Sequence, residues 1–209
     1  MLERVIKGDA CVAEGVVWLS GVEPRFAALQ DVLSPLPLRL RPDGFAALLN
    51  AIVSQQVSVA SAAAIWGRME VAGMTTPNAV AAADQDALKS LGLSRQKVKY
   101  AHALAAAGID YAKLRHLPAE DVIAQLIAVP GIGRWTAEVY AMFSLGRADV
   151  FAPGDLALQE AAKQVFDLPQ RPSEKDFRLM AQAWSPWRSV AARLLWAYYK
   201  HSTQREGIR

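Results

Sequence analysis

Val129-Pro130-Gly131-Ile132-Gly133-Arg134-Trp135-Thr136-Ala137 turns the chain sharply and restarts it as a helix. Two glycines around one apolar residue permit a tight turn and close approach to another backbone, and Arg134 to Leu145 reads as a helix beginning directly after it. The first amides of such a helix have no partners within it, so they form an anion site. Shortly beyond that helix, Phe151-Ala152-Pro153-Gly154-Asp155 breaks the chain at Pro-Gly and leaves Asp155 at the entry of the next helix. A backbone anion site and one well-placed carboxylate suggest a nucleic-acid backbone held by amides and chemistry done by an acid.

Each part also has a plain reading. Gly-x-Gly joins many ordinary helical hairpins. Arg95, Lys97, Lys99 and Arg134 form either a basic rim beside the amides or a solvated helix face. Asp155 is a good helix N-cap, and capping is compatible with catalysis. The positive end of a helix dipole favours its anion, and a fixed carboxylate anion can stabilise an oxocarbenium-like sugar or orient a water that attacks it. Trp135, Trp184, Trp187 and Trp196 supply aromatic surface, as core or as a cleft wall on which an extruded base stacks.

Outward from these segments, composition sets the bounds. The chain has 209 residues and 53% hydrophobic content, enough for one domain or two closely packed subdomains with a sizeable core. Its 23 Lys+Arg against 20 Asp+Glu give a formal charge of +3, which permits nucleic-acid binding without establishing it. A single cysteine, Cys11, excludes an intramolecular disulfide, a four-cysteine zinc site and a cysteine-ligated iron–sulfur cluster. His102, His116 and His201 show no ligand spacing and read as surface or partner-satisfied residues. Glu3, Arg4, Lys7 and Asp9 argue against a signal peptide, and polar residues interrupt every Ala-rich stretch, so no membrane span is expected. A cytoplasmic location follows as an expectation.

Helical periodicity dominates, and alternating strand patterns are missing, which predicts an all-α fold. Asp43 caps a helix running toward Gln55-Gln56, and Val59 to about Met69 forms a second with small faces. Thr76-Pro77, Asp84 and Ser94 open further helices, the last ending before Gly108. Leu117-Pro118 starts the helix that leads into the Gly131 turn. After Asp155 come a helix to about Phe166, another from Ser173 to Trp184, a break at Ser185-Pro186, and a final aromatic helix to about Lys200. Gln204 to Arg209 reads as a loose tail.

With these residues assembled, the chain resembles the helix-hairpin-helix DNA glycosylase superfamily, within it the alkylbase branch, the 3-methyladenine DNA glycosylase II family. The resemblance rests on Ala51 to Ser58, Leu88 to Leu93, Val129 to Ala137, Asp149 to Asp155, and Trp184 to Ser189 with Trp196. It covers about residues 43 to 200. It implies one glycosylase domain over 1–209, built of two packed helical subdomains with a central cleft and a hairpin at about 121–145. It further implies Asp155 as the catalytic carboxylate, and Gly131 and Gly133 as the phosphate-holding backbone supported by Arg134 and Thr136. Trp135 and Trp196 match base-pocket positions, while Val139 and Leu156 replace pocket aromatics of better-known members. Duplex DNA with damaged bases is the implied partner, and a Na or K ion is implied on the backbone of Val129 and Gly131. No cofactor is required, and a monomer is the simplest expectation. Lys97 joins the DNA rim; Met74 is the candidate plug for the vacated base stack. Gln55 and Gln56 either contact DNA or tie helices together.

Bifunctional glycosylase/lyases of the superfamily carry lysine at the second residue after the hairpin's final glycine, where this chain has Trp135. An indole cannot form a Schiff base with the sugar, so base excision without strand cleavage is expected. An alkylated purine is already a good leaving group, which removes the need for a general acid. The competing readings are a glycosylase for mismatched or oxidised bases and a non-catalytic DNA-binding module. Either location of a genome suits such an enzyme, the bacterial cytoplasm or a nucleus.

Overall fold

The computed structural model describes residues 3–33 and 35–203. Among them, the regular structure comprises thirteen α-helices, one 3-10 turn and an isolated antiparallel bridge between Val5 and Arg147. The fold is all-α, as expected. It divides into two compact units, one from Met1–Leu40 with Ala141–Arg209 and the other from Arg41–Tyr140.

The first unit begins with α1 (Asp9–Val22) and α2 (Pro24–Leu33), which the periodicity does not announce. α1 starts at Gly8 without a side-chain cap and leaves Val17 and Val22 exposed, so its apolar stripe is blurred. Its close packing depends on Gly15. A Cβ there would lie 2.7 Å from Val190 Cγ2 and 2.8 Å from Trp187 Cε3.

The second unit is contiguous. It contains α3 (Phe45–Ser54), α4 (Val59–Val71), α5 (Pro77–Ala82), α6 (Gln85–Ser90), α7 (Arg95–Ala106), α8 (Tyr111–Leu114) and α9 (Ala119–Ile127). Ser58, Thr76, Asp84 and Ser94 each accept the amide N–H three residues on, so these starts follow the sequence reading. Helix α7 packs against α3, α5 and α6, with Leu48, Leu49, Ile52, Val98, Ala101 and Leu104 buried. Asp43 does not cap α3. Gly44 takes that position at φ +102°, and Asp43 instead receives both arms of Arg115 at 2.7 and 2.9 Å. Gly44 N–H donates to the Tyr140 hydroxyl at 2.8 Å, and burial pushes that phenol's pKa up to about 12.

The division between units falls inside α10 (Arg134–Phe143), which ends two residues before the expected Leu145. Back in the first unit, α11 (Leu156–Val165) and α12 (Glu174–Met180) precede the 3-10 turn Ala181–Trp184 and α13 (Arg188–Thr203). The helix expected from Ser173 to Trp184 therefore tightens over its last turn. Ser185–Pro186 is a cis peptide. Trp184 is a core residue here, 5.3 Å from Phe26, 5.4 Å from Phe151 and 5.6 Å from Phe166 between ring centres. The tail expected at 204–209 lies outside the described residues.

Candidate functional site

In the second unit, α9 leads into a hairpin closed by Ile132 N–H donating to Val129 O at 3.0 Å. The two glycines face different demands. Gly131 sits at φ +94°, and a Cβ there would enter the Tyr100 ring, 2.6 Å from Cδ2. Gly133 is not in the left-handed region, meets nothing within 4 Å where a Cβ would stand, and its carbonyl accepts from Ala137 N at 3.0 Å as α10 begins. One glycine lets the hairpin pack inward, and the other leaves open space before the first amides of α10.

Gln55 resolves as a tie between elements: it ends α3 and its Nε2 donates to Gly131 O at 2.9 Å. Gln56 beside it is exposed at φ +55°. Met74 is half-buried in the turn after α4, its N–H on Met69 O at 2.8 Å.

The basic rim needs correction at Lys97. The residue is buried, and its Nζ donates to Val53 O at 2.6 Å, so its cation serves the carbonyl end of α3 rather than an open surface. Burial lowers its pKa. Arg95 and Lys99 remain exposed. Arg134 is forked between Glu138 and Glu120, each at 3.0 Å, and Thr136 is buried. Replacing Lys97 with methionine is therefore expected to cost about 1–3 kcal/mol in urea unfolding, through the unsatisfied Val53 carbonyl. The salt dependence of DNA binding should not change.

In the first unit, Asp155 caps α11, with Oδ1 accepting Leu158 N–H at 3.0 Å and Trp196 Nε1–H at 3.0 Å. It is only 7% exposed. The approach to it is fixed by Asp155 N–H on Ala152 O at 3.1 Å and Gln159 Nε2 on Pro153 O at 2.8 Å. Two N–H donors converging on one oxygen hold the carboxylate in place.

The aromatic assignments divide by exposure. Trp135 is 41% exposed and Leu156 65% exposed, whereas Val139 is buried and Trp184 and Trp187 are core. Trp196 is the larger departure from expectation. It is 0% exposed, packed 5.5 Å from Phe143 and lying under the Arg39 guanidinium at 5.8 Å, so it presents no open wall. Its indole N–H holds Asp155.

Periodicity also missed Arg193, fully buried on α13 and bound to Leu38 O at 3.2 and 3.0 Å and to Ser189 O at 2.9 Å. It lies over Phe143 at 4.8 Å, and burial, then the neighbouring charge of Arg39, pushes its pKa down to about 9. Tyr100 was missed as well. Its one signal is position, one turn from Lys97 on α7.

His116 and His201 are exposed, but His102 encloses its Nε2 without a hydrogen-bond partner, which corrects its reading as satisfied. No group of three or more His, Cys, Asp or Glu suited to a metal occurs among the described residues. No helix among them is long and apolar enough to cross a membrane.

With this geometry in place, comparison with known proteins identifies its relatives. The pattern described as HhH-GPD superfamily base excision DNA repair protein matches residues 49–188. The alkylbase DNA glycosidase-like protein mag2 of Schizosaccharomyces pombe is 26% identical over 190 residues, covering 85% of this chain and 89% of that protein. Among solved structures, the DNA-3-methyladenine glycosidase of Bacillus halodurans superposes with a TM-score of 0.82 at 29% identity, over 97% of this chain and 95% of its own. The Schizosaccharomyces pombe 3-methyladenine DNA glycosylase Mag1, solved in complex with abasic DNA, gives 0.77 at 25% identity over 94% and 100%.

Proposed function

Because the chain belongs to the HhH-GPD superfamily of base excision DNA repair proteins, we propose that Asp155 is the one catalytic carboxylate of its glycosylase reaction. The enzyme is an alkylbase DNA glycosylase of the 3-methyladenine type, a monofunctional N-glycosylase acting in base excision repair. The single observation that carries the assignment is the Asp155 carboxylate, nearly buried and fixed by a helix amide and an indole N–H.

The chemistry follows from the residues. Residues 1–209 act as one glycosylase domain of two helical subdomains, its hairpin at about 121–145. The α10 amides beside Gly133, supported by Arg134 and Thr136, hold a phosphate, with Arg95 and Lys99 lending charge. Exposed Gln56 faces the opposite strand, and Met74 fills the vacated stack. The damaged nucleotide rotates out of the duplex, which costs a few kcal/mol of stacking and pairing. Trp135, Val139, Leu156 and Trp196 are the residues we assign to the base. The C1′–N bond then breaks, its electron pair leaving with a purine made neutral by the departure. Asp155 stabilises the sugar cation, and water adds at C1′ as it loses a proton, leaving an abasic site.

Glycosylases of this kind need no cofactor. The carbonyls of Val129 and Gly131 each accept one internal N–H and keep a second lone pair, so these hard oxygen donors fit a Na or K ion. Such an ion would add positive charge beside the phosphate. The protein acts as a monomer wherever its genome lies, in bacterial cytoplasm or a nucleus.

The test is a panel of methylated, deaminated and oxidised duplexes with identification of the free base. Release of 3-methyladenine or 7-methylguanine is expected. Release of uracil or 8-oxoguanine alone would overturn the reading, and borohydride trapping of an enzyme–DNA adduct would overturn the monofunctional assignment.

A further inference from the structure

We propose that the Arg39 side chain is a built-in occupant of the Trp196 ring, standing where a cationic lesion base would stack and setting the threshold for its entry. The inference rests on the alkylbase reading above. Trp196 is 0% exposed, although the reaction asks it for contact with a base. Phe143 covers part of the ring at 5.5 Å, and the Arg39 guanidinium lies over it at 5.8 Å. A guanidinium and an N-alkylated purine are both flat, delocalised cations drawn to an indole face by the same attraction. They therefore compete for it.

The surroundings of Arg39 suit a group that leaves. Its backbone sits at φ +56°, a region that L side chains rarely adopt. One residue away, Leu38 O accepts two bonds from the buried Arg193. The same Arg193 charge repels Arg39, the second cause, after burial, of the depressed Arg193 pKa. Arg39 is half-exposed, so its guanidinium can swing into water while Leu38 stays pinned. A base that reaches Trp196 would then take over the ring whose N–H holds Asp155.

The experiment follows the Trp196 indole N–H by nitrogen-15 NMR, with the signal identified by its loss in Trp196→Phe, while the cationic nucleoside 7-methylguanosine is titrated in. In Arg39→Ala the signal should shift at nucleoside concentrations about three- to tenfold lower than in the wild type, the worth of one such contact. Arg39→Gln, which removes the charge at nearly equal length, should move the same way and serves if the alanine variant does not fold. Equal midpoints in wild type and variants, or a weaker response in the variants, would overturn the proposal. The readout needs no turnover. A wild type that releases no alkylated base therefore sinks the glycosylase reading, whereas an active wild type with unchanged midpoints sinks this inference alone.

Discussion

Asp155→Asn is expected to slow release of alkylated purine by about 10²- to 10⁴-fold, the range for removing one group that stabilises transition-state charge. The substitution is chosen because almost nothing else changes. Asparagine is as good an N-cap as aspartate, so the bond from Leu158 N–H survives and α11 keeps its start. An amide oxygen can still accept the Trp196 indole N–H. What disappears is the negative charge opposite the sugar cation. Single-turnover release from methylated duplex measures the rate, and fluorescence anisotropy on an uncleavable duplex measures affinity, which should hold. Wild-type rates from the variant would show that the chain grips DNA without using this acid in chemistry.

Gly131→Ala is expected to destabilise the protein by about 2–5 kcal/mol, whereas Gly133→Ala should leave stability nearly unchanged. At Gly131 two penalties add: φ +94° is hostile to any Cβ, and that Cβ would lie inside the Tyr100 ring. Tyr100→Ala removes the second penalty and leaves the first. A double-mutant cycle by urea unfolding should thus show Gly131→Ala costing less in the Tyr100→Ala background. Gly133 meets neither penalty, yet a methyl there stands before the α10 amides, so its alanine variant should lose duplex affinity with an unchanged melting temperature. Loss of stability at both glycines alike would refute the separation of an inward and an outward glycine.

Much of this division was legible in the sequence, because it depends on local chemistry. Thr76, Asp84, Ser94, Asp155 and Ser173 all act as the caps their spacing indicates, since a cap is settled within three residues. Asp43 failed as a cap because its partner, Arg115, is remote in the chain and no local pattern encodes a long-range ion pair. Lys97 failed as a DNA contact for a related reason. Among alternating basic residues on one helix, tertiary packing chooses which turns inward, and here it is the one facing the Val53 carbonyl. The tryptophans carry the same lesson. Their number was visible, but Trp135 is open while Trp196 is covered by Phe143 and Arg39, residues that no motif singles out.

The first unit is assembled from both ends of the chain, and this orders events during synthesis. The Arg41–Tyr140 segment is contiguous in the chain and compact in itself, so it can close while the ribosome is still working. α1 and α2 cannot finish so early. Gly15 fits against Trp187 and Val190, Arg4 lies over the Trp187 ring at 4.7 Å, and Ile6 N–H bonds Gly146 O at 2.7 Å. At about 5–20 residues per second, these helices wait on the order of ten seconds for α13 to emerge. Helices made well before α13 are therefore among the last to be buried, and Phe26, Val16 and Leu19 are the apolar surface a nascent-chain chaperone would meet in the interval.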